Sequence, residues 1–173
     1  LFFVTIDTIG SLPFFLSLTE GAKIKKKNQI ALKSVIIAFF IMITFAYLGR
    51  YLLEAIHVSL DSLKIAGGVI LMFLAIDILF EKRKIRREKR VEEALDEKNF
   101  EEIIVFPIAI PFIAGPSALT TIILLIGNYA NFPEFQIPVI LALVAALIVS
   151  LVLMVGANFI VKYIPQQILH ATA

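Results

Sequence analysis

"IAGPSALTT", Ile113 to Thr121, sets a Gly-Pro pair inside one of the most apolar stretches of the chain. A second apolar stretch, "IDTIGSLP" from Ile6 to Pro13, is interrupted in the same way by an Asp-Thr pair, a glycine and a proline. A membrane-crossing helix satisfies its backbone within itself, so a break at its middle survives only where protein or a water-filled cavity bonds the freed groups. Two explanations are open. Gly10, Pro13, Gly115 and Pro116 either kink tightly packed helices, or they open the backbone for a ligand. Breaks at corresponding places in two segments favour the ligand.

The surroundings of both stretches are those of a membrane protein. Hydrophobic residues make up 60% of the chain, against roughly 45–50% in soluble domains. Long uncharged runs alternate with short, densely charged ones, the pattern of spans joined by solvated loops. Five apolar segments stand out: Leu1 to Leu18, Ala31 to Ala55, Leu60 to Phe80, Ile103 to Ile126, and Ile137 to Val161. A crossing needs about 20 helical residues, which the second to fifth supply. The chain opens without Met and without a cleavable signal pattern, so the first segment is expected to be a span that lacks its beginning.

Lys and Arg set the orientation. Lys23, Lys25, Lys26 and Lys27 follow the first segment, and "EKRKIRREKRVEEALDEKNFEE" after the third carries eight Lys or Arg. "GNYANFPEFQ", between the fourth and fifth, has none. The positive-inside rule puts both basic loops in the cytoplasm, giving a multi-pass protein of the cell inner or plasma membrane. The basic residues lie beside spans, so they do not indicate a nucleic-acid partner. Absence of cysteine excludes disulfides, thiol nucleophiles and cysteine metal sites, and no metal centre or cofactor is expected.

Laying Asp7 on Gly115, a shift of 108 positions, carries Ala31–Gly49 onto Val139–Ala157 inside the fifth segment. The expected fold is therefore all-α: a polytopic transmembrane helix bundle built as an inverted 3+3 repeat with discontinuous first and fourth helices. Residues 1–80 form the first three-span repeat, 81–102 a charged cytoplasmic linker, and 103–173 a second repeat without its sixth helix, the whole being one membrane domain. A three-span unit repeated in tandem enters the membrane upside down the second time, as in many secondary transporters. The half-helices beginning near Gly10 and Pro116 then aim their N-termini at the midplane from opposite sides. Unpaired amides and positive dipole ends suit such a place to an anion.

"IDTIGSLPFFLSLTEG", "LKIAGGVILMFLAIDILF" and "IPFIAGPSALTT" resemble the MarC family of integral membrane proteins. The resemblance implies six spans in two inverted halves and, from the family's SnatA-type members, transport of small neutral amino acids. The family pattern has Asp-Pro-x-Gly in the first motif, where this chain has Thr8, and frequently glycine where it has Ser117.

The expected substrate site comprises Asp7, Thr8, Gly10, Ala114, Gly115, Pro116, Ser117, Thr120 and Thr121. Asp7 is the sharpest member, because an ionisable group at bilayer depth is costly and marks function by default. It holds an ammonium group or Na⁺, relays a proton, or caps its own half-helix through nearby amides. The hydroxyls of Ser117, Thr120 and Thr121 contact substrate, or bond back to their own helix as such groups usually do. Asp77 is the second coupling candidate, the coupling ion being H⁺ or Na⁺. Arg50 and Glu54, four residues apart, read as an interfacial ion pair. No enzymatic activity is expected, since no GxSxG or activating histidine stands in a span, and an intramembrane aspartyl protease would need two carboxyls meeting at depth. The alternative to a carrier is a channel or structural membrane protein. Partners are a small amino acid and the lipid bilayer, with room for a homo-oligomer.

Overall fold

A computed structural model describes residues 1–79 and 102–160. The charged linker as far as residue 101, Lys162 and the far end of the second repeat lie outside the described residues, as do the side chains of Asp77 and Asn158. Among the described residues the chain is helical, without strands: α1 (Phe2–Ile6), α2 (Leu12–Leu18), α3 (Ile24–Ala55), α4 (Leu60–Leu79), α5 (Ile104–Ile113), α6 (Pro116–Asn128) and α7 (Pro133–Ile160).

The first apolar segment is two short helices separated by a turn at residues 7–11. Asp7 stops α1 by taking the left-handed conformation, φ 50° and ψ 56°, which Asp and Asn tolerate better than other side chains. Pro13 sits in the first turn of α2, where its missing N–H costs nothing.

The fourth segment is broken more heavily. In α5 the turns are wide, and Phe106 (φ −125°, ψ 126°) and Ile110 (φ −127°, ψ 126°) are extended. Each precedes a proline, Pro107 or Pro111, and a residue before proline is pushed out of the helical region by its ring. The chain turns again at Ala114-Gly115, so that α5 and α6 meet at 59°.

Two described stretches are long and apolar enough to cross a bilayer, Ile24–Ala55 and Pro133–Ala157, and the bent α5–α6 pair makes up to a third. At ~1.5 Å per residue the 32 residues of α3 reach about 48 Å, more than the ~30 Å hydrocarbon core. Helix α3 therefore begins about two turns before its apolar run, with Lys25, Lys26 and Lys27 in its first turns.

The apolar stretches of α3 and α7 each bury one stripe. On α3 the stripe is Ile30, Ala31, Ser34, Val35, Ala38, Met42, Ala46 and Gly49, the three-and-four spacing of one helix face. Its small residues let a neighbour come close, which matters because lipid supplies no hydrophobic drive between helices. Gly49 shows this: a Cβ there would stand 2.6 Å from Cγ1 of Ile123 on α6. The opposite face, with Leu32, Ile36, Phe40 and Leu48, is exposed and suits lipid tails. Helix α3 packs on α5, α6 and α7, while α7 packs on α1 and α2 as well. Each long helix thus lies against the broken segment from the other half of the chain.

Candidate functional site

The two breaks are brought together by hydroxyls. Helix α1 is five residues long, and a helix leaves its last carbonyls without intrahelical partners. One of them, on Thr5, accepts a hydrogen bond of 2.9 Å from the Ser117 hydroxyl, in the first turn of α6. The Thr8 hydroxyl, in the first break, lies 2.8 Å from the Ser150 hydroxyl on α7. Ser150 has one proton and donates it to Ala146 O at 2.9 Å, so in that arrangement Thr8 donates to Ser150. Thr8 and Ser150 are buried, at 1% and 0% exposure, where an unpaired hydroxyl would be costly, and Ser117 is half-buried.

Within the first break the backbone satisfies itself. Asp7 N–H donates to Val4 O, Ser11 N–H to Asp7 O, and Leu12 N–H to Ile9 O at 3.1–3.2 Å. The Ser11 hydroxyl donates to Thr8 O at 2.9 Å. The Asp7 carboxyl lies directly over Gly10, where any Cβ would collide with it. Asp7 is half-buried. A ligand role and a local role are thus both compatible with its place.

In the second break Gly115 is required for space, since its φ of −78° suits any residue. A Cβ there would stand 2.6 Å from the carbonyl oxygen of Pro111. Ala114 N–H donates to Ala109 O, and the ladder of α6 begins with Leu119 N–H on Gly115 O, each at 2.9 Å. The amides of Ser117 and Ala118 precede that first bond, and among the described residues no side chain caps them. Ala114 and Gly115 are buried, and Pro116 opens the helix at its rim.

The remaining candidates divide. Thr120 is half-buried and turns its methyl carbon onto Gly67 of α4, whose lack of a side chain makes room for it. Thr121 is buried, at 4% exposure. The backbone of Asp77 is in the last turn of α4. Arg50 and Glu54 form the expected pair, Nε to Oε1 at 2.8 Å, with both side chains about half exposed, worth only a few tenths of a kcal/mol. No group of three or more His, Asp or Glu suited to a metal occurs among the described residues.

Three participants were not singled out from sequence: Thr5, Ser150 and Ser34, the last donating from α3 to the Ile104 carbonyl of α5 at 2.9 Å. The available signal was a lone hydroxyl in an apolar run, as in "ALIVSLVLM" around Ser150.

A cleft of about 280 Å³ opens beside the site between α1, α6 and α7, lined by Leu1, Phe2, Leu125, Tyr129, Pro138 and Val139 among others.

Comparison with known proteins agrees with the membrane architecture. The model of the MarC family integral membrane proteins matches residues 1–172. A UPF0056 membrane protein of Archaeoglobus fulgidus is 36% identical over 87% of this chain and 68% of its own length. Another, from Methanocaldococcus jannaschii, is 31% identical over 92% of this chain and 69% of its own. The UPF0056 inner membrane protein YhgN of Escherichia coli is 29% identical over 76% of this chain and 63% of its own. No solved structure matches.

Proposed function

The chain belongs to the MarC family of integral membrane proteins, and on that premise we propose that it is a secondary transporter of small neutral amino acids such as alanine or glycine. The observation that carries this reading is the direct bond between the breaks, Ser117 hydroxyl to Thr5 carbonyl at 2.9 Å. Interrupted crossings that meet are how many secondary transporters build a midplane site, whereas unrelated kinks have no reason to touch. The carboxylate of a zwitterion meets the N-terminus of α6, and its ammonium meets Asp7 or carbonyls freed at the breaks.

In this reading the two halves are inverted repeats, supported by the way α3 lies on α5 and α6 while α7 lies on α1 and α2. Alternating access is one half rocking on the other, driven by H⁺ or Na⁺ with Asp7 and Asp77 as coupling candidates. The protein sits in the inner or plasma membrane with its basic loops in the cytoplasm, a location in keeping with the name of the Escherichia coli relative.

Uptake of labelled alanine into proteoliposomes, with an imposed proton or sodium gradient, tests the proposal. Gradient-dependent accumulation is expected. Equal fluxes with and without protein would end it, and discrete single-channel current steps would favour a channel instead.

A further inference from the structure

We infer that Thr121 is the side chain that recognises the carboxylate of the bound amino acid, while the other buried hydroxyls at the breaks hold the protein together. This rests on the transporter reading above and names the group that gives its site specificity.

The inference follows from where each hydroxyl spends its proton. Ser117 donates to Thr5 O, Ser11 to Thr8 O and Ser150 to Ala146 O. Thr8 bonds Ser150 across the two halves. Threonines inside an apolar helix ordinarily bond back to a carbonyl one turn earlier, and this chain does so at Thr19 on Phe15 O (2.7 Å) and Thr44 on Phe40 O (2.8 Å). Thr121 is 4% exposed, yet its hydroxyl has no partner among the described residues. A buried hydroxyl left unbonded costs about 1–3 kcal/mol, so a partner from outside the protein is the economical explanation.

Its direction is fixed by its neighbours on α6. Ser117, four residues before, touches Thr5 of α1. Leu125, four residues after, lines the cleft with Leu1 and Phe2 of α1. Residues at this spacing share one helix face, so Thr121 looks into the same seam with α1, one turn deeper than the cleft. Helical side chains also lean toward the N-terminus and cover the preceding turn. Thr121 therefore lies one turn behind the first turn of α6, where the amides of Ser117 and Ala118 precede the ladder. An N-terminal turn of a 13-residue helix and a hydroxyl on its inward face together make a site for a planar, two-oxygen anion. One oxygen takes the amides and the other takes the hydroxyl proton.

The test is alanine transport by the full-length protein in proteoliposomes, comparing wild type with Thr121→Val and Thr121→Ser. Valine keeps the shape and removes the hydroxyl, so its half-saturation concentration for alanine should rise about tenfold or more, the scale of one hydrogen bond to a charged group, with a ligand-free melting temperature at or above that of wild type. Serine should stay within a few-fold of wild type. Wild type should prefer alanine to alaninamide, which has no carboxylate, and the valine variant should lose most of that preference. Wild-type affinity in the valine variant, or equal damage from valine and serine, would overturn the assignment while leaving the transporter intact. A wild type that carries no alanine would instead overturn the parent reading, and this one with it.

Discussion

Thr8 and Ser117, one beside each break, both spend their hydroxyls on tertiary bonds. Those bonds join residues 142 and 112 positions apart, which is why sequence reading stopped at the residue types: a hydroxyl in an apolar run reads equally well as bonded to its own helix. The relay gives a stability prediction. Ser150→Ala leaves the buried Thr8 proton without an acceptor and should cost about 1–3 kcal/mol, while Thr8→Val removes donor and need together and should cost less. The double variant should recover part of the loss, and melting curves in detergent for all three close the cycle. Strict additivity would mean that the two hydroxyls do not interact. Asp7 yields a cleaner functional test than most carboxylates. Its left-handed backbone, φ 50°, suits asparagine as well as aspartate, so Asp7→Asn should fold normally and lose the response of alanine flux to an imposed ion gradient. Unchanged flux with unchanged gradient dependence would remove Asp7 from the mechanism.

At the scale of elements, the sequence was most legible where a residue type dictates the backbone. Pro13 and Pro116 open helices, Gly115 stands at the bend, and the limits expected for the apolar segments fall close to those of α3, α4, α6 and α7. The differences have a physical cause. Lys25, Lys26 and Lys27 are good helix formers, so α3 continues into its basic flank although the membrane-compatible run does not. The shape of α5 was not legible, because prolines announce a break but not whether the chain kinks or becomes extended. Gly115 is the element's most sensitive point. Gly115→Ala brings a methyl to 2.6 Å from Pro111 O, a backbone atom that cannot swing aside. Overpacking of this kind costs about 1–3 kcal/mol or more, so the variant should melt at a lower temperature than wild type. An alanine variant as stable and as active as wild type would mean that the bend relaxes without the close approach seen here.

At the scale of the molecule, the claim that matters is orientation: α1–α2 and α5–α6 must enter the membrane from opposite sides if their breaks are to face one another as halves of one site. With α3 and α4 both crossing between them, an even number, this follows. The loop before α3 and the loop after α6 would then lie on opposite faces, the first beside Lys23 and the Lys25–Lys27 turn of α3, the second with no Lys or Arg at residues 127–136. The chain has no cysteine, so single cysteines at Ala22 and at Phe132 report each side without background. Phe132 is exposed and Ala22 half-buried, both in loops. In intact cells a membrane-impermeant maleimide should label the Phe132→Cys protein and leave Ala22→Cys unlabelled until the membrane is opened. Labelling of both from one side would make the number of crossings between them even. The second broken segment would then re-enter the face it came from. Its meeting with Thr5 would be ordinary packing within a bundle, and the paired breaks would no longer describe a path from one side of the membrane to the other.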